Sequence, residues 1–117
     1  KAYRLQEKAA GVGFDWNEPS QVWNKVQEEL QELEEEVKNQ NSQEKIEEEF
    51  GDVLFALINY ARFLKIKPEH ALEKTNRKFI KRFQYIEQIA QEQNKKLQEM
   101  TLEEMETIWN NAKIMEE

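Results

Sequence analysis

Two pairs of carboxylates carry the most chemistry in this chain: Glu29 with Glu32, and Glu49 with Asp52. Each pair is spaced i, i+3, so on a helix its two members lie on one face. The second pair sits inside Glu44-Lys-Ile-Glu-Glu-Glu-Phe-Gly-Asp-Val-Leu-Phe-Ala-Leu-Ile-Asn59, whose first half is acidic and whose second half is apolar. Glu49 and Asp52 fall where the halves meet, beside side chains that should be buried. Four carboxylates in one place repel one another and destabilise the fold unless a counter-charge joins them. Divalent cations are the natural solution. An all-oxygen ligand set favours Mg²⁺ or Mn²⁺ over zinc or iron. Carboxylate-bridged di-iron bundles want Glu-x-x-His pairs, and the sole histidine, His70, has no such partner. The competing reading is bland: Glu-x-x-Glu recurs by chance in any acidic helix, and a charge run is usually a solvated face. The apolar turns around Glu49 and Asp52 weigh against it.

The elements that must position these groups are helical. Of 117 residues 35% are charged and only 3 are Gly and 2 Pro, which removes the punctuation a sandwich or an α/β fold needs. The expectation is one all-α domain spanning residues 1–117, excised from a longer chain because it starts at Lys1 rather than Met. A net charge of −7 argues against non-specific nucleic-acid binding. The absence of cysteine excludes disulfides and thiolate chemistry and is compatible with a cytoplasmic location. No apolar run reaches membrane-span length, so no membrane partner is expected.

In chain order, Lys1 to Ala10 reads as a helix packing Tyr3, Leu5 and Ala9, stopped by Gly11. The loop Gly11-Val-Gly-Phe-Asp-Trp-Asn-Glu-Pro19 folds back on the body, either as a plug over the core or as a surface facing substrate. Ser20 is placed to cap a helix to about Val37 whose stripe is Val22, Val26, Leu30, Leu33 and Val37, with Lys25, Glu29, Glu32 and Glu36 along its border. Ser42 caps the next helix, running to about Leu64 with Ile46, Phe50, Val53, Leu54, Leu57, Ile58 and Ala61 as its main stripe. Phe55 and Phe63 lie off that stripe, so the helix is apolar on most sides and suits a homodimer interface. Asn59 is placed either to bridge two helices or to meet a ligand. Pro68 opens a long helix to about Asn94, with Leu72, Phe79, Phe83, Ile86 and Ala90 as its seam and Lys74, Lys78 and Arg82 along one flank. Thr101 and Glu104 form a capping box for a last helix carrying Leu102, Met105, Ile108, Trp109 and Ala112 inward, with Lys113 one turn on.

Glu29-Leu-Gln-Glu32, then residues 33–48, then Glu49-Phe-Gly-Asp52-Val-Leu-Phe resembles the E-x-x-E…E-x-x-D signature of the MazG-type nucleoside triphosphate pyrophosphohydrolases. The likeness begins at Gly13-Phe-Asp-Trp16, takes in Val22-Trp-Asn-Lys25-Val-Gln-Glu-Glu and Lys74-Thr-Asn76-Arg-Lys78-Phe-Ile-Lys-Arg82-Phe83, and ends at Trp109 to Lys113. It matches the arrangement of the catalytic, C-terminal module. The resemblance implies an all-α, four-helix-bundle-like domain with an additional short helix, dimerising tightly and hydrolysing an NTP to NMP and pyrophosphate with Mg²⁺. Carried over by position, Glu29, Glu32, Glu49 and Asp52 are the metal ligands and catalytic carboxylates. Lys78, Arg82 and Lys113 would meet phosphates, and Trp109 the base. The physiological nucleotide implied is a triphosphate, with house-cleaning of non-canonical nucleotides in view.

In the mechanism so expected, one of Glu29, Glu32 or Glu49 takes the attacking water's proton, and spacing does not choose among them. Two alternatives compete. One is a non-catalytic helical dimerisation or regulatory module. The other is a dUTP, dCTP or phosphoribosyl-ATP pyrophosphatase of the same superfamily, against which the GFDW loop and the Trp109 helix count.

Overall fold

The computed structural model describes residues 1–116. Those residues form α1 (Ala2–Gly11), α2 (Pro19–Lys38), α3 (Gln43–Phe63), α4 (Pro68–Glu92) and α5 (Leu102–Glu116), with a 3₁₀ turn at Leu97–Glu99 and no strand among the described residues. The chain gathers into two compact units, one spanning Lys1–Pro68 and one beginning at Glu69.

The helix starts follow local chemistry. Ser20 is not the cap of α2. Pro19 already occupies the first helical position, where its missing N–H costs nothing, and Gln21 Oε1 accepts the backbone N–H groups of Asn17 at 3.0 Å and Glu18 at 3.2 Å. Ser20 therefore falls inside the first turn. Ser42 does cap α3, accepting the Lys45 N–H at 3.3 Å, and Thr101 Oγ1 accepts the Glu104 N–H at 3.1 Å at the start of α5.

The helix ends share one device. Gly11 remains helical, and Gly13 at φ 91° closes α1, with Phe14 N–H donating to Ala9 O at 3.0 Å. Gln40, Lys65 and Asn94, at φ 51°, 60° and 55°, do the same for α2, α3 and α4. The residue after each donates back to Glu36, Ala61 and Ala90 carbonyls at 3.2, 2.9 and 2.9 Å. This left-handed turn satisfies carbonyls the helix would otherwise leave open.

In the first unit α2 and α3 form an antiparallel hairpin along which they pack, and α1 lies against α3. Val22, Val26, Val53 and Ala56 form its buried centre. Both helices are turned from the orientation their hydropathy implies. Leu30 and Val37 of α2 and Phe50, Leu54 and Leu57 of α3, all expected in the core, are exposed, while Glu29 is 6% exposed. The inward faces run Val22, Val26, Glu29, Leu33, Glu36 and Ile46, Glu49, Val53, Ala56, Tyr60, all buried or half-buried. On α1 the buried residue is Gln6, not Leu5, which is half exposed.

In the second unit Ile86, Ala90, Met100 and Ala112 are buried, and Phe83, Met105, Ile108 and Trp109 are half-buried. The expected α4 seam holds only from Phe83 onward. Every residue from Glu69 to Lys81 is exposed, Leu72 and Phe79 included, and so is Leu102 of α5.

Candidate metal centre and phosphate-binding residues

The rotation of α2 and α3 brings three of the four motif carboxylates together. Glu29, Glu32 and Glu49 each offer a carboxylate oxygen, and these oxygens lie within 4.8 Å of one another. Two turns of helix hold the trio: Glu29 and Glu32 are one turn apart on α2, and Glu49 comes from the facing turn of α3 just before the buried Val53. Asp52 is exposed and outside the trio, one turn beyond Glu49 on α3. Its charge nevertheless reaches Glu49.

The electrostatics are those of an undersatisfied acidic cluster. Burial, followed by the charges of Glu32, Asp52, Glu29 and Glu36, pushes the Glu49 carboxyl above the usual carboxylate range. The charge of Glu29, then burial, raises Glu32. One cation answers this crowd from within the chain. Lys25 Nζ lies 2.9 Å from Glu29 Oε1 and 3.8 Å from Glu28, and the hydrogen bond to Glu29 holds the ammonium above its ordinary value. That pairing leaves Glu29 Oε2 and Glu49 Oε2 buried with no hydrogen-bond partner. A buried carboxylate oxygen without donor or cation is costly. The donor set, all carboxylate oxygen with two orphaned atoms, fits a hard divalent cation.

The remaining predicted residues lie in the second unit. Arg82 donates to the Glu116 carboxylate at 2.9 Å from Nη2 and at 3.3 Å from Nε, and its guanidinium carbon lies 5.4 Å from the Trp109 ring centre. Phe79 packs against the same indole at 5.3 Å. The Arg82 charge draws the Glu116 carboxyl below its usual range. Trp109 is half-buried, and Lys78 and Lys113 are exposed. Arg82 and Trp109 are thus assembled, while Lys78 and Lys113 are exposed on α4 and α5 and form no ion pair among the described residues.

Sequence reasoning missed a second constellation in the first unit. Arg62 donates to Asp15 Oδ1 at 2.6 Å and to Asn59 Oδ1 at 2.9 and 3.1 Å, tying the Val12–Glu18 loop to α3. This bond, above all, lowers the Asp15 carboxyl. Gln6 Nε2 donates to the Phe55 carbonyl at 2.9 Å. Asn59 was left between two roles, and it serves as an acceptor for Arg62 on its own helix. No spacing signal marks Gln6 or Arg62, because each stands alone among ordinary helical residues.

Residues 17–87 match the MazG nucleotide pyrophosphohydrolase domain. That segment contains all four motif carboxylates with Lys78 and Arg82, and excludes Trp109 and Lys113. The chain is similar to the nucleoside triphosphate pyrophosphohydrolase/pyrophosphatase MazG of Thermotoga maritima, 43% identical over 112 residues that cover 96% of this chain and 42% of that protein. It is also similar to a nucleoside triphosphate pyrophosphohydrolase of Escherichia coli, 41% identical over 117 residues covering 99% and 44% of the two chains. A shorter likeness, 58% over 65 residues, joins it to the YabN protein of Bacillus subtilis, covering 56% of this chain and 13% of that one. The chain spans less than half the length of each relative. It belongs to the MazG nucleotide pyrophosphohydrolase domain family.

Proposed function

We propose that this chain hydrolyses nucleoside triphosphates to the monophosphate and pyrophosphate with the aid of Mg²⁺, Mn²⁺ serving in its place. The observation that carries this reading is the carboxylate trio with its two orphaned buried oxygens. Like charges are gathered there at a cost that a bound cation would offset. Glu29, Glu32 and Glu49 would hold it, with Asp52 completing the set from one turn further along α3. When bound, such a cation neutralises charge on triphosphate oxygens and favours displacement at phosphorus.

The chain's own residues do the rest. The α2–α3 hairpin fixes the carboxylates on rigid helices, so that ligand geometry is set before substrate arrives. Lys78, Arg82 and Lys113 would hold the polyphosphate. Glu116 fills the Arg82 fork, and a phosphate would take that place with the same bidentate geometry. Trp109 offers an aromatic face to the base. A carboxylate among Glu29, Glu32 and Glu49 would take the proton of the attacking water.

The same reading extends to assembly and setting. Leu30, Phe50, Leu54 and Leu57 present an apolar face on α2 and α3 that a second copy would cover, giving a homodimeric, four-helix-bundle-like enzyme acting as one domain in the cytoplasm. Removal of non-canonical nucleotides is the role such an activity suits. Neither nucleic acid nor membrane is a partner in this reading, and among the described residues no helix is long and apolar enough to cross a membrane.

The direct test is pyrophosphate release from a panel of canonical and damaged NTPs with Mg²⁺, using the wild-type chain, Glu49→Ala and Asp52→Ala. Turnover by wild type and a loss of about 100-fold or more in Glu49→Ala are expected, since even outer-shell changes at metal sites cost ~10–100-fold. Unchanged activity in both variants would overturn the site. No turnover of any nucleotide by wild type would favour the non-catalytic helical module.

A further inference from the structure

Arg82 already has an occupant, and that occupant is an anion. Its Nη2 donates to Glu116 Oε2 at 2.9 Å and its Nε to both carboxylate oxygens at 3.3 Å. The two side chains are largely covered, at 16% and 25% exposed, and the guanidinium carbon lies 5.4 Å from the Trp109 ring centre. An arginine fork makes the same charge-assisted, two-oxygen contact to phosphate. Glu116 thus holds, in shape and in charge, the place of a phosphate oxygen pair.

The spacing on α5 makes this a property of the helix. Trp109, Lys113 and Glu116 stand at i, i+4 and i+7, on one face. That face carries an indole, then a cation, then a carboxylate. The carboxylate bypasses Lys113, one turn back on its own helix, and takes Arg82 of α4 instead.

The contact is built to open. Ala112 is the last buried residue of α5, and Lys113 to Glu116 are exposed, Ile114 and Met115 among them. A final helical turn with so little buried surface is re-aimed at small cost. A second seat lies beside the first. A groove of about 310 Å³ is lined by Lys81, Gln84, Gln88 and Glu116 itself, where the lysine and the two amides offer donors. A carboxylate released from Arg82 therefore keeps partners.

We propose that Glu116 is a built-in competitor for phosphate: it closes the Arg82 fork when no polyphosphate is bound and swings out when a phosphoryl group enters. The gate presupposes the phosphate role of Arg82 and adds regulation to that same side chain. A fork that is free for only a fraction of the time weakens apparent affinity by that fraction. Removing the competitor therefore tightens the binding of any polyphosphate, whatever base it carries.

The experiment titrates inorganic pyrophosphate into the chain by calorimetry without divalent ion, so that no cation at the carboxylate trio takes part. Wild type is compared with Glu116→Ala, with Glu106→Ala and with the double variant Arg82→Gln/Glu116→Ala. Glu106 is exposed on the same helix, so its variant removes an equal charge without touching Arg82. Glu116→Ala should bind about fivefold tighter than wild type or better, and Glu106→Ala less than about twofold tighter. The double variant should lose the gain. In NTP hydrolysis with Mg²⁺, KM should fall in Glu116→Ala by a similar factor. Unchanged affinity or KM in Glu116→Ala, a gain matched by Glu106→Ala or kept in the double variant, or no pyrophosphate binding by any of the four proteins would overturn the gate, while NTP turnover by wild type leaves the hydrolase standing. If wild type hydrolyses no NTP, the hydrolase reading fails and the pyrophosphate titration still decides the gate. Should Glu116→Ala not fold, Glu116→Gln, which keeps the size and loses the charge, takes its place with the same expectation.

Discussion

The carboxylate trio of the α2–α3 hairpin and the ion pairs of the second unit handle charge in opposite ways. In the second unit three cations meet carboxylates in pairs: Arg82 with Glu116 at 2.9 Å, Lys95 with Glu104 at 3.1 Å, Arg77 with Glu73 at 3.4 Å. Each pair is complete, and the paired carboxyls of Glu104 and Glu116 are stabilised in their charged form. In the α2–α3 hairpin of the first unit, three carboxylates are gathered against one lysine, two of their oxygens are buried unpartnered, and Glu32 and Glu49 are pushed toward their neutral forms. The same hairpin leaves Phe50, Leu54 and Leu57 outside while Glu49 turns in. Hydrophobic burial alone would choose the reverse. The second unit's pairs neutralise one another, whereas the carboxylates of the trio repel.

Breaking the trio should have the largest effect. In Glu29→Leu, pyrophosphate release should fall about 100-fold or more. The same substitution should raise the metal-free melting temperature by about 4 °C, equivalent to ~1 kcal/mol, because an apolar side chain of similar size replaces a buried charge. Loss of both activity and stability would instead make Glu29 a structural ion-pair partner of Lys25.

The outward apolar face gives the next effect. With Leu54→Glu, solution mass measurement should show a monomer where wild type is a dimer. A wild-type monomer, or a variant that still dimerises, would remove that face from the assembly.

The contrast also has a pH signature. Glu32 and Glu49 have folded-state affinities for protons above those of the unfolded chain, so the metal-free fold binds extra protons and gains stability as pH falls from neutral toward the ordinary carboxylate range. Asp15, Glu104 and Glu116 are shifted the other way, and their contribution is present above the unfolded value and lost as pH falls through the lowered one. Thermal melts between pH 7 and 3 without divalent ion should therefore pass through a maximum on the mildly acidic side. Saturating Mg²⁺ should flatten the rise, since it competes with those protons. A monotonic fall from pH 7 in metal-free buffer would contradict the crowded-carboxylate account.

The smallest effect should come from the second unit. Lys95→Ala breaks a half-exposed pair and should move the melting temperature by roughly 2 °C or less. A larger shift would mean that these pairs carry more of the fold than the comparison assigns them.

Much of this was legible in sequence, though with one systematic displacement. All five α-helices follow from periodicity and caps, and Ser42, Pro68 and Thr101 stand where their chemistry puts them. The E-x-x-E and E-x-x-D spacings marked the residues that α2 and α3 bring together, apart from Asp52's exposure. Hydropathy set Val22, Val26, Leu33, Ile46, Val53, Ile58 and Ala61 inward, where they are, but misplaced Leu30, Val37, Phe50, Leu54 and Leu57. It ranks Leu30 above Glu29 and Phe50 above Glu49, because it assumes that apolar area alone decides which side turns inward. A helix whose carboxylates turn inward while its large apolar side chains stay outside violates that assumption. α1 ends at Gly11 as expected, but its left-handed position falls two residues later, at Gly13, and at Gln40 and Lys65 no glycine announces it. Gln6 was invisible for a different reason. A lone glutamine becomes significant only when α1 packs on α3 and one of its two amide atoms is left over.

The central claim, that the α2–α3 carboxylates are held together for a divalent cation, is tested most directly by thermal melts of wild type and Glu29→Leu over a series of MgCl₂ concentrations. Wild type should gain stability with concentration, by ~2.7 kcal/mol at a hundred times the dissociation constant, and Glu29→Leu should gain none. An equal shift in both proteins, or no shift in wild type with either Mg²⁺ or Mn²⁺, would contradict it.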